Sequence, residues 1–150
     1  MSTSPAPEAP TYDDVVAAAE KIAGHAVITP LLESPLLNEK LGGRLLVKAE
    51  CLQRSGAFKF RGAYNRISRL GDEQRKAGVV AFSSGNHAQG VALAAQLLGI
   101  SATVFMPEGA PIPKERATRG YGADVVFSGQ YLEDALVAAH EFAERTGAVL

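Results

Sequence analysis

Hydrophobic residues come in short unbroken runs over the second half of the chain: Val79-Val80-Ala81-Phe82, Ala102-Thr103-Val104-Phe105-Met106 and Asp124-Val125-Val126-Phe127, starting about every two dozen residues. A helical pattern follows each run. Continuous apolar strands separated by helices predict an α/β protein with a parallel sheet covered on both faces. The helices are expected over 86–98, about 113–119 and 131–146, with Gly99, Gly120 and Gly147 as stops and Pro113 in a first turn. From Ala88 to Leu98 the first of them is apolar nearly all round, which predicts burial. The units share no residue pattern, so the spacing is architectural and not a sequence repeat. Ala148-Val149-Leu150 reads as the opening of a fourth strand. A buried strand does not end a domain in mid-run, so the chain is expected to be a piece of a longer protein.

The first half is less regular. Residues 1–10 are small, polar and proline-rich, which predicts a loose tail. Thr11 with Asp14 makes a capping-box start, Val15, Val16, Ala19, Ile22 and Ala23 give an apolar side, and Gly24 ends the helix. His25 follows as a cap or turn residue. The segment before Pro30 is extended, and Leu36, Leu37 and Leu41 mark a short helix closed by Gly42-Gly43. A strand is expected over 44–50, its alternation placing Lys48 and Glu50 on one face and Val47 and Ala49 on the other. The two charges suit either a solvated pair or the mouth of a pocket. The organisation expected is a tail over 1–10, part of a larger domain over 11–54, and a lysine-bearing helix with a small α/β domain over 55–150.

With 47% hydrophobic residues, 21% charged and a net charge of -1, the chain has material for a core and no basic footprint for nucleic acid. No apolar run approaches the ~18 residues of a membrane span. One cysteine, Cys51, and an N-terminus without a basic region and apolar core point to a cytoplasmic protein. In its strand pattern Cys51 is expected to be packed. A small molecule is the partner this composition favours.

Two stretches carry candidate chemistry. In Ser-Gly-Ala-Phe-Lys-Phe-Arg-Gly-Ala-Tyr-Asn, from position 55, Lys59 sits between Phe58 and Phe60 where a turn meets a helical pattern. The positive end of the helix dipole and desolvation by aromatic neighbours both favour a neutral, nucleophilic amine. An ordinary helix with Lys59 and Arg61 as surface charges fits the same residues. The second stretch, Phe82-Ser83-Ser84-Gly85-Asn86-His87-Ala88-Gln89-Gly90, lies where a parallel strand hands over to a helix, the place where such sheets bind ligands. Backbone N–H groups, two hydroxyls and the Asn86 amide make a cradle for a carboxylate or phosphate, and Gly90 lets the helix pack tightly. A merely well-capped helix is the other reading. His87 lacks an orienting carboxylate nearby in sequence, so it is no triad base.

Taken together, Lys-Ala-Glu-Cys-Leu-Gln from position 48, Phe58-Lys59-Phe60-Arg61-Gly62-Ala63, the loop from Ser83 to Gln89, and Tyr121-Gly122-Ala123-Asp124 resemble the fold-type II pyridoxal-phosphate enzymes, in particular the threonine/serine dehydratases and serine racemase. The resemblance runs from Thr29-Pro30-Leu31 to Leu150. It implies a tryptophan-synthase-β-like fold, incomplete here, and pyridoxal 5'-phosphate as cofactor. By the same resemblance Lys59 forms the Schiff base and removes the Cα proton, Phe58 packs beside the ring and Asn86 bonds the ring oxygen. Ser83, Ser84, Gly85, Asn86 and His87 receive the substrate carboxylate, and Ser84 is also the acid/base on the opposite face. Ala57 departs from the serine many relatives carry before Phe-Lys, and the family's glycine-rich phosphate loop is expected beyond residue 150. The activity implied is β-elimination from threonine or serine to a 2-oxo acid and ammonia, with racemisation or 3-hydroxyaspartate dehydration as alternatives and a non-catalytic amino-acid-binding fragment as a third. Such a lyase belongs to amino-acid metabolism, isoleucine biosynthesis included. A homo-oligomer is expected for the complete protein, no metal site is expected, and the 150 residues alone are expected to be inactive.

Overall fold

The computed structural model describes residues 9–150, so most of the expected tail lies outside the described residues. Thr11 opens helix α1 (Tyr12–Ile22) as its sequence predicts, with its side chain accepting from the Asp14 N–H while the Asp14 carboxylate accepts from the Thr11 N–H. Strand β1 (Leu31–Glu33), helix α2 (Pro35–Leu41) and strand β2 (Leu46–Lys48) follow. β1 and β2 pair antiparallel, with Leu31 opposite Lys48 and Glu33 opposite Leu46.

The strand expected over 44–50 is shorter than its pattern. After Lys48 the chain tightens into two 3₁₀ turns, Glu50–Leu52 and Arg54–Gly56, because Glu50 is drawn inward toward Arg61. Lys48 and Glu50 therefore do not share a strand face. The expected packing of Cys51 fails for the same reason, and its free thiol is exposed.

Helix α3 (Lys59–Ile67) begins at the lysine. Helix α4 (Asp72–Ala77) leads into the parallel part of the fold: strand β3 (Val79–Phe82), helix α5 (Asn86–Leu98), strand β4 (Ala102–Met106), helix α6 (Ile112–Gly120), strand β5 (Asp124–Phe127) and helix α7 (Leu132–Thr146). The strand order is β3-β4-β5, all parallel, with Val79 beside Ala102 and Thr103 beside Asp124. The expected fourth strand reaches the free side of β3 as a single parallel bridge, Val79 to Val149. Gly120 lies inside α6 instead of stopping it; the helix is capped at Tyr121.

Alternate residues of each strand serve opposite faces. Val79, Ala81, Val104, Met106 and Val125 pack with α3 and α5, while Val80 and Phe105 pack against Ala135 and Ala139 of α7. Residues 88–95 of α5 are all buried, but the burial expected to run to Leu98 stops there, because the last turn passes the sheet and Gln96 and Leu97 are exposed. Phe60 is fully buried beside Tyr64, ring centroids 5.6 Å apart, and anchors α3 in this core. No helix among the described residues is long and apolar enough to cross a membrane.

Candidate active site

Two backbones meet at the centre of the site. A Cβ on Gly90 would lie 3.1 Å from the Lys59 carbonyl carbon, 3.2 Å from the Phe60 nitrogen and 3.3 Å from the Lys59 oxygen. Only glycine lets α5 approach the start of α3 this closely. The contact joins the lysine motif to the serine-asparagine loop, four residues earlier on α5. The charge of Lys59 reaches His87 across this junction: packing around the imidazole holds its pKa below the ordinary value, and the nearby ammonium lowers it further. Both effects favour the neutral imidazole near pH 7.

The turn entering α3 is unusual. Ser55 has φ 57° and Gly56 φ 70°, and Ser55 is the one described non-glycine residue with a positive φ. Its hydroxyl is buried without a hydrogen-bond partner. Strain and an unpaired polar atom beside a candidate nucleophile mark a turn held by its surroundings, as at ligand sites.

The aromatic flanks of Lys59 differ from expectation. Successive helical residues diverge by about a hundred degrees, so Phe60 points into the core while Phe58 stays 58% exposed. The Lys59 amine lies 5.2 Å from the Phe58 ring centroid and is itself exposed. One aromatic surface accompanies the amine, and the double aromatic enclosure suggested by the sequence is absent.

Arg61 is not a surface charge. Its Nε and Nη2 donate to the two Glu50 oxygens at 2.8 and 2.7 Å, and Nη2 also donates to the Val27 carbonyl at 3.0 Å. Glu50 accepts a further bond from the Thr29 hydroxyl, and Lys48 donates to the Thr29 carbonyl. The buried Gln53 side chain closes the set, accepting from Val27 N at 2.9 Å and donating to Val27 O at 2.8 Å. The polar residues of the run from Lys48 to Gln53 thus act together as a clamp that fixes residues 27–29 against the start of α3. Arg61, above all, holds the Glu50 carboxyl well below the usual carboxylate range, at about 2.

At the loop, Ser83 continues the sheet by donating its N–H to the Phe105 carbonyl at 3.0 Å, and its hydroxyl accepts from Gly85 N at 3.2 Å. Ser84 and Gly85 are half-buried, Asn86 and His87 exposed. Among the described residues no side chain caps the first turn of α5, in contrast to the capping box of α1. Its first N–H groups therefore keep their partial positive charge for an anion. This removes the well-capped-helix reading of the loop.

Lys114 of α6 was not foreseeable from any local motif. Its Nζ donates to Asn86 Oδ1 at 2.5 Å and Gln89 Oε1 at 3.1 Å. A cavity of about 290 Å³ adjoins the loop, lined mainly by apolar residues of α3 and β3, with Arg66, His87 and Leu150 also in its wall.

An amine at a helix start, an exposed aromatic face, a primary amide and an uncapped turn are a donor set that fits an aldehyde-bearing aromatic cofactor and a carboxylate. Comparison with known proteins agrees. Residues 22–150 match the family model described as pyridoxal-phosphate dependent enzyme. The chain is 52% identical over 140 residues to an L-threo-3-hydroxyaspartate ammonia-lyase from a Pseudomonas species, covering 93% of this chain and 44% of that protein. It is 48% identical over 139 residues to an L-threonine ammonia-lyase from Thermotoga maritima, covering 93% of this chain and 35% of that one. The solved structure of maize serine racemase superposes with a TM-score of 0.88 at 42% identity, over 92% of this chain and 42% of that one. The chain spans less than half the length of these relatives. With the strand order, the lysine helix and the uncapped loop all in place, the chain belongs to the pyridoxal-phosphate dependent enzymes of fold type II, whose cofactor is pyridoxal 5'-phosphate.

Proposed function

We propose that the complete protein eliminates the β-hydroxyl of a 3-hydroxy amino acid, L-threonine or L-serine, releasing a 2-oxo acid and ammonia. The observation that carries this reading is the Gly90 contact, which sets the Lys59 backbone beside the helix whose uncapped first turn offers an anion site. Lys59 would hold the cofactor through its amine, Phe58 would lie beside the ring, and Asn86 would donate to the ring oxygen. Pyridoxal phosphate, when bound, supplies the electron sink for the bond broken at Cα. Ser83, Ser84, Gly85 and His87 bind and orient the substrate carboxylate, with a neutral His87 able to donate without a competing charge of its own. The Lys59 Nζ would take the Cα proton and, as the ammonium, would return it to the departing β-hydroxyl, so that the hydrogen from Cα and the hydroxyl from Cβ leave together as water. The enamine released then tautomerises and hydrolyses, which yields ammonia.

The ammonia-lyase names of the relatives support elimination as the main reaction. L-threo-3-hydroxyaspartate is the second substrate to test, on the 52% identity to a lyase of that name. Racemisation is the second reaction, for which Ser84 would deliver a proton to the face opposite Lys59.

The test is to load the full-length protein with cofactor and follow 2-oxo acid and ammonia from the three hydroxy amino acids, alongside Lys59→Ala. Turnover that depends on Lys59 supports the reading. A holoprotein that binds these amino acids and releases no 2-oxo acid would sink it and favour a binding role.

A further inference from the structure

Asn86 is the first residue of α5, and its amide has two ends of opposite character. The oxygen accepts and the nitrogen donates. Which end faces a ligand is decided by what holds the other. Here the partner is Lys114, whose ammonium has three donors and no acceptor, so only Oδ1 can face it. The Asn86 NH₂ group is therefore turned away from α6. The buried Gln89, one helical turn along α5, presents its own Oε1 to the same ammonium at 3.1 Å. Both bonds run to neutral amide oxygens, and among the described residues no carboxylate lies in ion-pair reach of Lys114.

The base of Lys114 is fixed as well. It is in the first turn of α6, its N–H bonds the Pro111 carbonyl at 2.8 Å, and its own carbonyl accepts from the fully buried Thr118 hydroxyl at 2.8 Å. A cation held this way polarises the amide it touches, and a polarised amide is a stronger N–H donor on its far side.

We propose that Lys114 is a positioning residue that locks the Asn86 amide with its NH₂ group toward the cofactor's ring oxygen, and that Gln89 steadies the ammonium for this task. The inference rests on the proposed placement of Asn86 against that oxygen. Without Lys114 the amide is free to flip, and a flipped amide sets two oxygens against each other.

The test uses the full-length protein and reads cofactor affinity by titrating the apoprotein, together with the ratio of visible to near-ultraviolet absorbance of the bound cofactor, which reports the proton at the ring oxygen. The variants are Lys114→Met, Lys114→Gln, Lys114→Arg, Asn86→Ala and the double variant Lys114→Met/Asn86→Ala. The expected result is that Lys114→Met weakens cofactor binding by about tenfold, the worth of one hydrogen bond to a charged group, and shifts the absorbance ratio in the direction given by Asn86→Ala. Lys114→Arg should restore the ratio in large part. The double variant should be no worse than Asn86→Ala alone. Lys114→Gln has an amide that donates and accepts, so it no longer dictates which end of Asn86 it meets and should shift the ratio in the same direction; it serves if Lys114→Met does not fold. A lysine that merely joins α6 to α5 would lower apoprotein stability and leave the ratio unchanged, and that result overturns the proposal. Additive losses in the double variant overturn it too. If Asn86→Ala itself moves neither quantity, the placement of Asn86 fails; if Asn86→Ala moves both and Lys114→Met and Lys114→Gln move neither, the positioning role alone fails.

Discussion

Replacing Glu50 with glutamine should expose how much the Arg61 clamp contributes to the site. The Glu50 carboxyl is held at about 2 against an ordinary 4.5, first by Arg61 and then by the Thr29 hydroxyl, with burial opposing both. A fall of that size corresponds to about 3 kcal/mol at most. The two side chains are 29% and 19% exposed, so solvent screens part of it and about 2 kcal/mol is the working figure. The sign follows from a depressed folded-state value: the contribution is complete above the unfolded pKa of about 4.5 and is lost as the pH falls through about 2. Glu50→Gln keeps the shape, removes the charge and leaves the guanidinium beside a neutral acceptor. Urea unfolding of the full-length apoprotein, wild type and variant, from about pH 7 down to about pH 2 should show a gap of about 2 kcal/mol at neutrality that closes as the wild-type carboxylate takes up its proton. Parallel curves that keep the same gap at acid pH would show that Glu50 acts through shape or packing, and a gap below about 0.5 kcal/mol would show a pair no better than an exposed one.

Lys59 should be the residue labelled when the holoenzyme is reduced with borohydride and mapped by peptide mass; label on Lys48 or Lys76 would refute the site. Ser84→Ala should cut racemisation of L-serine far more than elimination, since only racemisation needs a proton on the second face, and equal loss of both products in a chiral assay would assign Ser84 to carboxylate binding or the fold. Gly90→Val should cost about 2 kcal/mol through overpacking and displace the loop from Lys59, with turnover falling by as much as about a hundredfold. In Gly90→Ala, the helix-propensity gain of about 1 kcal/mol offsets part of the strain, so its unfolding midpoint should lie between wild type and valine. A Gly90→Val protein of unchanged stability and rate would refute the close approach.

The order of strands and helices was legible because β3 and β4 are buried on both faces and write themselves as unbroken apolar runs, and β5 keeps such a run although Val126 and Phe127 are exposed at the sheet edge. The lysine at a helix start and the loop at a strand end were equally plain, since both depend on local residue types. What the residues hid was long-range. Glu50 leaves its strand for a partner eleven positions on, and nothing in the alternation of 44–50 records that pull. Phe60 and Phe58 look equivalent in sequence, and only the helical turn separates core from surface. Helix α4, Asp-Glu-Gln-Arg-Lys-Ala, has no apolar period to announce it. Lys114 meets Asn86 across 28 positions, from a helix whose exposed residues gave no reason to single one out.

Because α3 and α5 touch main chain to main chain at Gly90, the separation of the Lys59 backbone from the loop over 83–87 is independent of which side chains the loop carries. On the proposed function, the lysine would then keep its place while the carboxylate contacts of the loop vary. On that proposal, substitutions at Ser83 and His87 would retune which carboxylate is admitted without moving the backbone of Lys59. A protein engineer could vary positions 83 and 87 as a library and keep one backbone separation fixed throughout, provided that position 90 is left without a side chain.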